Sequence, residues 1–494
     1  MDQQQTKLLP ALQGGNGRLP ALVLGALVLR LSFGMPYYLP GDSLNYLNGV
    51  KAFGCLELAN TMHITRLGMV GPLALLEWLT RGVHPLLQLF PLVCSLAMVV
   101  LVYHLARVWA GETAALLAGG LMALVPMEIV YGTVLLPDTP LSFWALMAFW
   151  LLVRATGPRQ VLGAGICLGL AYTCKETALF FAIPALAQAY ARRRSIPDAA
   201  CLVGGLAAVV VLEVALLWVL LGEPHLRVLQ TVGFAYGSKG QFTGVEHTWQ
   251  WWLQQVWLKL GALFWGGHLP TAALLLGLPH LLVLALVRHW RAKLSLAWWP
   301  ALWLGVWWGQ QLALSTIEPE PRYLQAGLPY AALLIALAIA PWWDQWQAGI
   351  RWALVVPALV LVVTGAGFFK LSFAPRAAAT EVLYERLHTL AGQEPQTVVG
   401  GPSEYVLRLA EYAGLTTTLS QPDLPITHWA RLSSGYSKEE AQGSLPAGMK
   451  ACMQEQFALL FPQLYQRLGA VPALGLSSTA ELYCLSLPPL TTAR

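Results

Sequence analysis

Two carboxylates and a handful of cations stand where apolar stretches of this chain end. Asp42 lies in Leu39-Pro40-Gly41-Asp42-Ser43-Leu44-Asn45-Tyr46, and Asp138 in Leu136-Pro137-Asp138-Thr139-Pro140. A carboxylate at a membrane mouth is expensive unless water or a partner solvates it, so such acids mark reacting or binding centres. Both also suit local structure: Pro-Gly-Asp-Ser is turn chemistry, and Asp138 can cap a helix entering at Leu141. The cations are Arg66, Lys175 and Arg322, each at a span end, where snorkelling would also place them. Together they suit phosphate, since Arg offers bidentate contacts and Lys a point charge. Arg30 differs, because it falls inside an apolar stretch and needs a partner. Glu128, Glu213 and a ligand phosphate are the candidates.

The elements that must position these residues are transmembrane helices. Of 494 residues, 56% are hydrophobic and only 11% charged, well below the roughly 25% charge of soluble domains. Apolar runs long enough to span a bilayer recur. They predict about eleven spans, near 19–39, 86–106, 113–132, 139–154, 160–175, 177–191, 198–222, 269–287, 296–316, 323–341 and 351–370. With the N-terminus inside, the inner loops gather Arg107, Arg154, Arg159, Arg192-Arg193-Arg194, Arg288 and Arg291, as the positive-inside rule expects. The two acids, Lys175 and the C-terminus then face outward, and the first span stays as a helix rather than a cleaved signal.

Two outer loops are long, 40–85 and 223–268. The first contains Leu67 to Leu79, suited to the interface plane. The second carries Trp249, Trp251, Trp252, Trp257 and Trp265, an interfacial belt that would also suit a sugar or lipid groove. Beyond residue 370 the composition turns mixed. A helix near 377–390, a strand at Thr397-Val398-Val399, a helix near 404–412 and Thr416-Thr417-Thr418-Leu419 predict a small α/β outer domain over 371–494. The transmembrane domain accordingly covers 1–370.

Other chemistries find little support. The seven cysteines show no metal or redox spacing. Cys452 and Cys484 share the tail, where an oxidising compartment would permit a disulfide. Glu57/His63 and Glu246/His247 match no compact metal site, and no metal ligand is assigned. A P-loop is absent, as is an Asp-x-Asp motif, and the net charge of +5 reflects short loops rather than a nucleic-acid surface.

Four segments in order resemble the GT-C glycosyltransferases, in the branch of protein O-mannosyltransferases and lipid A aminoarabinose transferases. They are Gly41-Asp42-Ser43-Leu44-Asn45-Tyr46, Leu136-Pro137-Asp138-Thr139-Pro140-Leu141, Gly169-Leu170-Ala171-Tyr172-Thr173-Cys174-Lys175-Glu176 and Pro321-Arg322-Tyr323-Leu324. The resemblance, covering roughly 20–345, implies an all-α polytopic GT-C fold and an inverting transfer at the outer leaflet. The donor would be a sugar on a polyprenyl phosphate, and the acceptor a hydroxyl of a lipid, glycan or protein. Asp42 would be the general base and Asp138 would orient acceptor or sugar. Lys175, Arg322 and Arg66 would hold the donor phosphate, with Tyr46 and Tyr323 against substrate. Ser43 stands where many relatives carry Glu, which leaves a divalent metal an open question. A transporter or flippase of lipid-linked sugars is the competing reading; it predicts inverted repeats, and none is visible. A bacterial inner membrane is the most economical setting.

Overall fold

The computed structural model describes residues 18–34, 65–80, 84–193, 196–222, 294–314 and 321–343, with shorter pieces of 43–50, 224–228, 346–360 and 380–485. The chain divides into two compact units, one of residues 1–34 and 65–367, the other of 35–64 and 368–494.

The first unit is helical. Its described helices are α1 (Arg18–Phe33), α2 (Leu67–Thr80), α3 (Leu89–Ala110), α4 (Glu112–Leu124), α5 (Pro126–Tyr131), α6 (Asp138–Arg154), α7 (Pro158–Cys174), α8 (Ala182–Arg193), α9 (Ile196–Leu221), α10 (Leu294–Leu314) and α11 (Leu328–Trp343). Two described stretches, Leu86–Ala110 and Ile196–Leu220, are by themselves long and apolar enough to cross a membrane. The span expected near 269–287 lies outside the described residues, as do most of 351–370 and of the Trp-rich loop.

Punctuation explains where helices break. Gly111, at φ +88°, turns α3 into α4 in a backbone conformation that glycine adopts without strain. The span expected over 113–132 is two helices, because Val125 precedes a proline and is pushed to φ −60°, ψ 118°. Pro126 then opens α5 at a position where its missing N–H is harmless. The spans expected from 177 and 323 likewise begin late. Short 3-10 turns, Glu176–Phe181 and Pro321–Gly327, lead into α8 and α11.

Small residues bring α7 and α9 into close approach. A Cβ on Gly165 would overlap the Leu202 carbonyl, and one on Gly205 would overlap that of Leu162. This is the small-residue packing that lets membrane helices associate where lipid offers no hydrophobic drive. α2 buries Met69, Val70 and Leu73 and exposes Leu75, Trp78 and Leu79, as an interfacial helix would. Its Gly68 packs against Thr173 and Cys174 at the end of α7.

An aromatic core fastens the 3-10 turn Glu176–Phe181. The Phe181 ring stacks on Trp307 at 4.8 Å and on Trp303 at 5.4 Å, and Phe149 meets both Trp303 and Tyr330 edge-on. Trp303 Nε1 donates to Gln188 Oε1 at 3.0 Å, so the indole enters the core with its polar edge satisfied. The 3-10 turn that follows Lys175 is thereby pinned between α6, α8, α10 and α11.

In the second unit, five described strands form one sheet in the order β2-β1-β3-β5-β4. They are β1 (Val398–Gly400), β2 (Thr416–Thr417), β3 (His428–Ser433), β4 (Met449–Ala458) and β5 (Ser477–Leu485). β1 is parallel to β2 and β3, and the connection from β1 to β2 carries helical residues at 406–407 and 409–410, as a parallel crossover requires. β5 pairs antiparallel with β3 and β4. The sequence reading places β1 and β2 within a residue or two and has no counterpart for β3, β4 and β5. The ladder register sets Cys484 opposite Lys450 and leaves Cys452 at a bulge in the neighbouring strand.

Candidate active site

The polar residues of the helical unit gather where α6 begins and α7 ends. Asp138 is the first residue of α6 and is 4% exposed. Its carboxylate is not the helix cap that its Pro-Asp-Thr-Pro setting predicts, since the start of α6 has no side-chain cap. Asp138 Oδ1 instead accepts from Lys175 Nζ at 2.8 Å, and Oδ2 is buried without a hydrogen bond among the described residues. A buried acceptor left open is costly, so this oxygen is suited to a ligand's hydroxyl or amine.

Lys175 reaches Asp138 because α7 stops at Cys174. The backbone of Lys175 turns to an extended conformation, and its N–H closes the helix onto Ala171 O. The guanidinium groups of Arg66 and Arg322 lie within electrostatic reach of the Lys175 ammonium. Arg322 is half-buried in the turn Pro321–Gly327, which also carries Tyr323. Three cations therefore stand near Asp138, one of them shared with the neighbouring Glu176.

Beside them lies a second, closed group. Arg66 Nε and NH2 donate to the two oxygens of Glu176 at 3.4 and 3.1 Å. Arg227 pairs with Glu176 at 3.2 Å and with Glu213, and donates to the carbonyls of Tyr172, Thr65 and Thr173. Its guanidinium also lies 4.4 Å from the Tyr172 ring centroid. Glu176 stands in the loop between spans. Burial pushes its carboxyl up, but Arg66 and Arg227 outweigh that and hold it down at about 2. Arg66, expected from sequence as a phosphate ligand, is thus already committed to a carboxylate.

A third group adjoins the first through Thr139 and Gln325. Arg30, fully buried, donates from Nε to Ser95 Oγ at 2.8 Å and also reaches the carbonyls of Ala26, Ala123 and Met122. Ser95 donates to Glu128 Oε2 at 2.8 Å. Gln325 Nε2 donates both to Glu128 Oε1 and to Thr139 Oγ1, each at 2.8 Å. Of the three partners open to Arg30, the structure selects Glu128, reached through Ser95, and gives Glu213 to Arg227.

Asp42 lies outside the described residues. Around it, Ser43 and Tyr46 are buried, at 2% and 0% exposure, and belong to the second compact unit. The side chain of Tyr323 and the pairs Glu57/His63 and Glu246/His247 are likewise outside them. Sequence reasoning leaves Arg227, Ser95, Thr139 and Gln325 without a role. Glu213 and Glu128 are the clues, since a carboxylate inside an apolar span must be paired.

A model of the dolichyl-phosphate-mannose-protein mannosyltransferase family matches residues 76–218. Among solved structures, the chain is similar to ArnT from Cupriavidus metallidurans bound to undecaprenyl phosphate. The TM-score is 0.57 at 13% identity, over 94% of this chain and 97% of that one. It is also similar to the oligosaccharyltransferase AglB from Archaeoglobus fulgidus, in complex with an inhibitory peptide and a dolichol-phosphate. There the TM-score is 0.50 at 12% identity, over 84% of this chain and 69% of that one. No curated protein sequence matches. The fold is the polytopic membrane fold of the GT-C glycosyltransferases.

Proposed function

We propose that the protein is an inverting glycosyltransferase that moves a sugar from a polyprenyl-phosphate donor to an acceptor hydroxyl at the outer face of a membrane. The observation that carries this reading is the Asp138–Lys175 pair at 2.8 Å, with Arg66 and Arg322 in its field, at a helix junction of a GT-C fold. The solved relatives that hold undecaprenyl phosphate and dolichol-phosphate support it.

In the proposed reaction the acceptor oxygen attacks the anomeric carbon as the bond from that carbon to the phosphate oxygen breaks. Asp42 takes the acceptor proton. The donor phosphodiester bears one negative charge and the departing polyprenyl phosphate a second, so charge develops on the leaving group. Lys175 and Arg322 are the preorganised cations for that charge, and fixed charges in a dry site act strongly on a transition state. Asp138 holds Lys175 with Oδ1 and offers Oδ2 to a sugar or acceptor hydroxyl. Tyr46 and Tyr323 contact substrate. The N-terminus is cytoplasmic, residues 1–370 form the catalytic domain, and the C-terminal domain 371–494 lies outside, in a bacterial inner membrane.

The test is purified protein with polyprenyl-phosphate sugars and an acceptor extract, comparing the native chain with Asp42→Asn. Transfer by the native chain and its loss in the variant are expected. Transfer that survives Asp42→Asn removes the base assignment, and lipid-linked sugar crossing vesicles without transfer replaces the enzyme with a flippase.

A further inference from the structure

The buried chain Arg30–Ser95–Glu128–Gln325–Thr139 crosses five segments that are far apart in sequence. It joins α1, α3, α5, the start of α6 and the turn before α11. Every member is buried, with Arg30, Ser95 and Glu128 at 0%, and Gln325 and Thr139 at 1%. Burying a charged arginine and a glutamate is expensive, and an apolar filling would often serve stability as well or better. Polar chains are kept where they specify one arrangement.

The position of the last link is what gives the chain a role. Thr139 follows Asp138 directly, and Gln325 lies one 3-10 turn beyond Arg322. Gln325 has a single amide nitrogen with two hydrogens, and both are used: one on Glu128, the other on Thr139. Thr139 in turn donates to Tyr131 O at 3.3 Å. The turn bearing Arg322 and the helix start bearing Asp138 are therefore clamped to one another by one side chain. Glu128 supplies the anchor, and Arg30 with Ser95 fixes the rotamer of Glu128.

We propose that Gln325 is a positioning residue, which through Glu128 and Thr139 sets the spacing between the Arg322 cation and the Asp138–Lys175 pair. This deepens the glycosyl-transfer reading and rests on it. Because displacements of about 1 Å in a catalytic constellation cost on the order of 100-fold in rate, the loss should appear in kcat, with KM for the donor changed less.

The experiment uses the full chain in detergent with three variants: Gln325→Met, Gln325→Glu, and the exchange Glu128→Gln with Gln325→Glu. In the exchange, the amide now at position 128 accepts from Ser95 and donates to the carboxylate now at position 325. That carboxylate also accepts from Thr139, so the chain of bonds is rebuilt with its polarity reversed. Two readouts are taken, the kcat and KM of sugar transfer and the hydrogen–deuterium exchange of segments 138–142 and 321–327. Expected are a fall in kcat of about 10–100-fold in both single variants, a joint rise of exchange in the two segments, and recovery of both in the double variant. Unchanged exchange, or a lowered melting temperature with kcat intact, overturns the proposal. If the native chain transfers no sugar while exchange in the two segments rises and recovers together, the enzymatic reading fails and the clamp stands.

Discussion

Two ionic groups lie side by side in the helical unit, and they are built on opposite plans. The Arg66–Glu176–Arg227–Glu213 group sets two arginines against two glutamates, and Arg227 also satisfies three backbone carbonyls. The Asp138 group sets one carboxylate against Lys175, with further positive charge nearby and one carboxylate oxygen without a hydrogen bond among the described residues. The first pairs its charges two against two, and of its buried side-chain atoms only Arg227 Nε is left without a hydrogen bond among the described residues. In the second, the carboxylate oxygen without a hydrogen bond is buried, and the Arg322 guanidinium lies in the field of its lysine. On the proposed reading, the balanced group serves as scaffold and the pair with an open acceptor as site.

The sharpest way to break the comparison is to remove the open pair as a unit. Asp138→Asn with Lys175→Met removes both charges of the pair together, so the melting temperature should move little while transfer falls by about 100-fold or more. A loss of folding with transfer per folded molecule intact would reverse the assignment of the two groups. Arg227→Met should do the opposite. It strands Glu213, which is 3% exposed, and removing one partner of a buried pair costs about 3–5 kcal/mol. Melting falls, and transfer by the remaining folded protein is retained.

Gly165→Val tests what holds the closed group in place. It forces α7 from α9 at the Leu202 carbonyl, and since Tyr172 and Thr173 ride on α7 while Glu213 rides on α9, the melting temperature should drop by several degrees. Arg66 stands on the border of the two groups. Arg66→Gln is expected to raise the KM for donor only a few-fold, because its nitrogens already serve Glu176; a loss as large as that of Lys175 would move it into the site.

The smallest effect is on acid stability. The carboxyl of Glu176 is held at about 2 in the folded protein and titrates at roughly 4.3 when unfolded. A depressed carboxylate stabilises the fold above its unfolded value, and the contribution fades as pH falls from there through about 2. In Glu176→Gln the dependence of melting on pH across that window should flatten.

Much of this could be read from the chain. The break at Val125–Pro126 was missed, and the expected span over 113–132 is two helices, but the long apolar runs mark the helices, because span length is a local matter. Asp138, Lys175 and Arg322 stand out for the same reason, each being a polar residue at the end of an apolar run. The role of Asp138 as a cap was plausible locally and lost to an ion pair from a helix 37 positions away. Strands β3, β4 and β5 escaped notice because their mixed polar sequences declare themselves only through partners far along the chain.

Charge partners were the part that sequence left open. Composition dictates that Arg30, Glu128 and Glu213, inside apolar spans, must each be compensated, since a lone charge there is too costly. It does not dictate by whom. That is decided by which helices approach closely, and the approach depends on small residues such as Gly165 and Gly205 meeting a carbonyl on the facing helix. Packing over separations of 14 to 197 residues then gives Glu213 to Arg227 and Gln325 to Glu128, pairings that no local pattern encodes.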